Sequence, residues 1–242
     1  MEQVFDFNNI TLLPNLCYVE SRSKCDTTLS FGKFKFNLPI VPANMESIIS
    51  PDLAYSLAKE GYFYILHRFN VDVIDFIQMM NQDNLVTSIS VGVNEDSYVL
   101  LSDIIALNLK VDFITIDIAH GHSLKLKKMV NFIKMHLPDV FVIGGNVCTP
   151  KAVKDLEEWG CDAVKCGIAG GSVCTTDHMT GFGNRGWQAS MIEQCAKEAT
   201  KPIIADGGIK LNSDIIKSLV LGATMVMVGG MLSGYKESPG DI

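Results

Sequence analysis

Two stretches near the end of the chain decide its fold: PIIADGG at 202–208 and TMVMVGG at 224–230. Each is a short apolar run closed by a pair of glycines, and a segment of helical character separates them. Runs of four or five apolar residues without polar alternation mark parallel strands covered on both faces. Working outward toward the N-terminus, the same unit recurs at 39–44 (PIVPAN), 62–67 (YFYILH), 87–92 (TSISVG), 112–118 (DFITIDI), 140–145 (VFVIGG) and 162–167 (DAVKCG). With 202–206 and 224–229 these predict eight strands.

The segments between them carry helix start and stop signals. Ser50-Pro51 opens a helix that Gly61 ends, Thr149-Pro150 opens one that Gly160 ends, and Ser213-Asp214 starts one that stops near Gly222. Side-chain caps, first-turn prolines and terminal glycines occupy these places because they satisfy or avoid the unpaired backbone groups at helix ends. Further helices fit 71–81, 96–108, 123–136 and 187–199. Strict β/α alternation gives a barrel or a doubly wound open sheet. Eight strands in one domain favour the (β/α)₈ TIM barrel, and so do glycine pairs after the last two strands, where barrels often seat phosphate. Residues 1–242 thus read as one domain, with 1–38 a strap or hairpin across the bottom face and 39–242 the barrel. The sequence reaches Ile242 just past the last strand, so the barrel is expected without a flap or eighth helix, and with apolar surface needing cover.

Of the 242 residues, 48% are hydrophobic and 19% charged, which suits a single large core rather than disorder or a fibre. The net charge of −7 and the lack of a long basic tract argue against a nucleic-acid partner. No apolar run is long enough to span a bilayer, and residues 1–20 lack a basic start followed by an apolar stretch. The expectation is a cytoplasmic protein without membrane attachment. Seven cysteines without CxxC pairs read as free thiols, one of them available for chemistry.

In a barrel, chemistry gathers at the C-terminal strand ends. Polar and glycine residues collect there: Asn44, His67, Asp117, Asn146, then Asp206-Gly207-Gly208 and Gly229-Gly230. The densest stretch is GIAGGSVCTT at 167–176. Its glycines let backbone N–H groups approach a phosphate, Ser172 adds a hydroxyl, and Cys174 sits where a thiolate is reachable. Taken alone, the same stretch also reads as a flexible turn with an incidental cysteine. His120 and His122 lack a third ligand at suitable spacing and read as ordinary histidines. Cys161 and Cys166 read as core thiols, and Gly181–Gly186 as a mobile connection.

The loop 167–176 resembles the nucleotide and cysteine loop of the IMP dehydrogenase and GMP reductase family, whose usual pattern is G-[IM]-G-x-G-S-x-C-[IT]-T. Five more segments agree in order: PANM at 42–45, IDIAHG at 116–121, GGNV at 144–147, ADGGI at 205–209 and MVMVGG at 225–230. Dehydrogenases of the family usually carry a regulatory insert between the second helix and third strand, where only one helix fits between His67 and Thr87. VESRS at 19–23, LHRF at 66–69 and TGFG at 180–183 are similar to the bacterial reductases.

The resemblance implies NADPH-dependent reduction of GMP to IMP with loss of ammonia. Cys174 is then the attacking thiol and Thr176 the proton relay, although a threonine there also serves simply to hold the loop. Ser172, Gly207, Gly208, Gly229 and Gly230 would grip the phosphate, and Asp206 the ribose hydroxyls. Asp117 and Asn146 would face the nicotinamide. Relatives hold a monovalent cation, K⁺, on carbonyls of this loop, here at Ala169, Gly171 and Cys174. Ala169 replaces a family glycine, so strain or re-routing is expected if that position needs a positive φ. A family glutamate that works with the threonine has no counterpart before Ile242, which implies a longer native chain or an impaired form. The resemblance also implies a homo-oligomer, a tetramer. Two competing readings are an IMP dehydrogenase using NAD⁺ and water, and a catalytically impaired purine-nucleotide-binding protein.

Overall fold

The computed structural model describes residues 3–171 and 176–239. Its sheet consists of β3 (Ile40–Pro42), β4 (Ser88–Val91), β5 (Phe113–Asp117), β6 (Phe141–Val147), β7 (Ala163–Cys166), β8 (Ile203–Asp206) and β9 (Met225–Val228). They are hydrogen-bonded in parallel in the order β3-β9-β8-β7-β6-β5-β4. A parallel bridge from Leu66 to Ile89 continues the curl beyond β4. The result is the expected α/β barrel, truncated.

Residues 62–67 form that one bridge rather than a full strand. A side chain has taken the place of the ladder: the Tyr64 hydroxyl accepts from Ser88 N–H at 3.1 Å and donates to the Val86 carbonyl at 2.8 Å. Backbone groups that a neighbouring strand would use are already satisfied, so no further ladder bonds form.

Local signals place the helices. In α1 (Pro51–Lys59) Ser50 Oγ accepts from Leu53 N–H at 3.2 Å, and in α5 (Pro150–Glu158) Thr149 accepts from Ala152 N–H at 3.3 Å, each with proline in the first turn. The others are α2 (Val73–Gln82), α3 (Glu95–Ala106), α4 (Leu124–His136), the short α6 (Thr176–Thr180), α7 (Gln188–Glu198) and α8 (Asn212–Val220). Among the described residues no helix is long and apolar enough to cross a membrane.

Strand period 2 divides the core in two. Val164 and Cys166 pack outward with the helices, while Ala163 packs inside the barrel with Val41, Ile143, Ile204 and Met225. The bottom is closed by a hairpin, β1 (Leu29–Phe31) and β2 (Phe34–Phe36). Fully buried Phe31 lies 5.1 Å from the Phe63 ring, 5.7 Å from Phe113 and 4.8 Å from Phe141. Phe113 and Phe141 are the first residues of β5 and β6, so the hairpin expected within 1–38 plugs the end opposite the catalytic end of a barrel.

Candidate active site

Strand register brings the C-terminal ends level. Asp117 pairs with Gly145, Cys166 with Ala205, and Asp206 with Met227. Above them opens a cavity of about 710 Å³. It is lined by Asn44, Asp117, Asn146, Thr176, Asp206, Gly207, Gly208, Gly229 and Gly230, all expected from the sequence at one mouth. Gly171 and Ala169 also line it. Ser172 and Cys174 lie outside the described residues.

The floor is organised by a residue the sequence reading passed over. Lys165 is 2% exposed, and its position two residues beyond Ala163 on β7 turns it to the barrel interior. Its ammonium lies 2.9 Å from Asp117 Oδ1 and 2.8 Å from Asp206 Oδ2. Asn44 Nδ2 donates to the other Asp117 oxygen at 2.9 Å. Asn146 Nδ2 donates to Asp206 Oδ2 at 2.7 Å and to the Gly167 carbonyl at 2.6 Å. One row, Asn44–Asp117–Lys165–Asp206–Asn146, therefore crosses the mouth.

The charges in this row hold each other. Burial opposes the Lys165 charge, but Asp117 and Asp206 outweigh it and raise the ammonium above its ordinary value. Burial likewise opposes ionisation of Asp117, yet Lys165, Asn44 and Arg68 hold its carboxyl below the usual range. Both recorded donors to the Asp206 carboxylate meet Oδ2. Among the described residues Oδ1 has no donor, so a ligand hydroxyl has an acceptor there.

A register shift between Gly145 and Val147 leaves Asn146 out of the β7 ladder. Such a bulge re-aims one side chain, and here Asn146 reaches across β7 to Asp206. Gly167 closes the same corner. Its φ is +142°, and a Cβ on it would stand 1.7 Å from the Asp206 carbonyl oxygen, so only glycine fits. Gly207, at φ +95°, backs directly onto the Gly170 and Gly171 backbone. The two glycine turns are thus pressed together at the rim, where backbone N–H groups can serve an anion.

Two side chains that no sequence motif marks brace this rim from behind. Asn184 Oδ1 accepts from Ile168 N–H at 2.5 Å, Gln188 Nε2 donates to the Asp206 carbonyl at 2.8 Å, and the two amides bond each other. Beyond them Arg185 forks onto Asp177, with Nε at 2.5 Å and Nη2 at 3.1 Å, and draws the Asp177 pKa down to about 2. This pair ties the start of α6 to the glycine-rich connection 181–186. Ala169 adopts φ +58°. It follows the path a glycine would take, at the cost of strain.

The remaining expectations fall outside the mouth. His122 bonds Asp155 at 2.7 Å and packs on Trp159, and His120 is exposed. Among the described residues no three His, Cys, Asp or Glu side chains form a metal cluster. Burial pushes the Cys161 thiol up to about 12, and contact with Cys195 followed by burial raises Cys166 well above its ordinary value, as suits core thiols.

The fold and site together define an α/β barrel with a glycine-rimmed mouth, equipped for an anionic ligand that carries hydroxyls. The chain belongs to the IMP dehydrogenase/GMP reductase family: the model of that domain matches residues 4–242. It is similar to the GMP reductase of Lysinibacillus sphaericus (strain C3-41), with 54% identity over 241 residues, 99% of this chain and 74% of that protein. It is 50% identical over 237 residues to the GMP reductase of Mesoplasma florum, covering 98% of this chain and 74% of the relative. The crystal structure of inosine 5′-monophosphate dehydrogenase from Legionella pneumophila superposes with a TM-score of 0.87 at 36% identity, covering 99% of this chain and 73% of that one.

Proposed function

We propose that this chain is a GMP reductase, carrying out GMP + NADPH + H⁺ → IMP + NH₃ + NADP⁺. The observation that carries the reading is the row through Lys165, which leaves one Asp206 oxygen open beside two apposed glycine turns. That is an acceptor for a ribose next to donors for a phosphate. Relatives 50–54% identical are named GMP reductase, which supports the substrate assignment.

Asp206 receives the ribose hydroxyls, and Gly207, Gly208, Gly229 and Gly230, with Ser172, receive the phosphate. The thiolate of Cys174 attacks C2 of the purine. Thr176 passes a proton to the 2-amino group, which departs as ammonia. A bound nicotinamide dinucleotide would supply the hydride that takes the amine's place at C2, and the C2–S bond would then break to return the Cys174 thiolate and release IMP. Covalent attack divides one difficult displacement into two easier steps, and the protein contributes orientation and electrostatics.

The residues present fit a nicotinamide. Among the described residues Asn146 Oδ1 and Arg68 Nε are buried without hydrogen-bond partners, and both residues line the cavity. They offer an acceptor and a donor, the two groups a carboxamide requires. Asp117, which lines the same cavity, would face the nicotinamide with them. A monovalent cation on the carbonyls of Ala169, Gly171 and Cys174 is compatible with the glycine-like path of Ala169. Assembly as a homo-oligomer is supported by Leu13, Leu16 and Tyr18, which are 70–90% exposed on the segment after the first turn.

The test is direct. Purified protein with GMP and NADPH is expected to consume NADPH and release ammonia in equal amounts, and Cys174→Ala to lose turnover while still binding GMP. Reduction of NAD⁺ with IMP instead would favour the dehydrogenase reading, for which the Legionella likeness speaks. GMP binding without turnover in the unmodified chain would leave only a nucleotide-binding role.

A further inference from the structure

We infer that Lys165 is a positioning residue that makes the ribose site electrically dependent on Asp117. The inference deepens the proposed function and rests on it. Lys165 belongs to no glycine turn and needs no ligand to explain its place, because its two carboxylate partners come from β8, beside β7, and from β5, beyond β6. Its side chain is 3% exposed, whereas those of Asp117 and Asp206 are 25% and 22% exposed. The cation is the most buried member, and the two anions are the more exposed ones at the cavity.

This arrangement has a consequence for Asp206. A carboxylate binds a diol well only when ionised and fixed in orientation. Lys165 fixes Oδ2 in place and leaves Oδ1 to the ligand. Without the ammonium, two carboxylates would face the same space across β6 and β7 with no cation shared between them, and like charges so placed repel. Arg68 acts on Asp117, and no ion pair joins it to Asp206 among the described residues. Asn146 can still donate to Asp206 but brings no charge.

The dependence predicts a specific rescue. Lys165→Met is expected to weaken GMP binding about 30-fold or more, since charged hydrogen bonds contribute about 1.5–3 kcal/mol each. Adding Asp117→Asn removes the opposing charge and is expected to restore at least tenfold of that loss. Lys165→Arg keeps the charge and is expected to stay within about fivefold of the parent protein. Calorimetric titration of GMP into the parent and the three variants reads all of these, with circular dichroism recording whether each is folded.

If the parent protein fails to bind GMP, the proposed function falls. If it binds, and Lys165→Met is within threefold of it or the double variant is no better than Lys165→Met, the positioning role falls. Should Lys165→Met be unfolded, the rescue is read as recovery of a folded, GMP-binding protein in the double variant. Failure of that recovery overturns the inference in favour of a purely structural lysine.

Discussion

Asn146 Nδ2 donates to Asp206 Oδ2 at 2.7 Å, joining the end of β6 to the end of β8 across β7. The family resemblance implies different ligands for these residues, the nicotinamide and the ribose. In the fold they are one pair, and the bulge at Asn146 makes the reach. Asn146→Ala is therefore expected to weaken GMP binding about tenfold, the worth of one hydrogen bond to a charged acceptor. Titration of GMP into the variant measures it, and unaltered affinity would count against the pair.

Gly167 has no room for a side chain. The Cβ of an alanine would overlap the Asp206 carbonyl at 1.7 Å in a left-handed backbone. Gly167→Ala is expected to lose about 3 kcal/mol of stability or more, because both the conformation and the contact are unfavourable. Urea unfolding followed by circular dichroism is the check.

Phe31 tests the plug at the other end. Its ring touches those of Phe63, Phe113 and Phe141, all from different elements. Phe31→Ala is expected to cost about 3–5 kcal/mol, with the GMP affinity of the folded fraction unchanged. A loss of affinity without loss of stability would contradict the separation of the two ends.

His67 gives the stability a pH dependence. It is 5% exposed, and burial holds its pKa below the ordinary 6.5. Below that value the unfolded chain takes up a proton that the folded protein resists. The His67 contribution is thus present above pH 6.5 and drains away as pH falls toward the folded value. His67→Gln is expected to flatten the fall in urea midpoint between pH 7.5 and 5.5, and an unchanged slope would show that other groups govern it.

Ala169 carries φ +58°, where a Cβ is strained. Ala169→Gly is expected to raise stability by about 1 kcal/mol, the relief of a left-handed alanine less the added freedom of the unfolded chain. A lower thermal midpoint in the variant would show that the buried methyl contributes more than the strain costs.

By itself the sequence determined the β/α alternation, the helix starts at Ser50-Pro51 and Thr149-Pro150, and the polar and glycine residues that share one mouth. Period, caps and prolines act over a few residues, so they can be read without knowing what lies across the fold. Asp117, Asn146 and Asp206 were legible as strand-end residues for the same reason. Only the tertiary structure decided what those residues do to one another. Lys165 looks like a polar flaw in an apolar strand until Asp117 and Asp206 arrive from β5 and β8. Asn146 points to Asp206 because of a bulge, and 62–67 fails to become a strand because Tyr64 answers its neighbour's backbone first. Each depends on partners distant in the chain, and a buried charge or a lost ladder is tolerated only where those partners satisfy it.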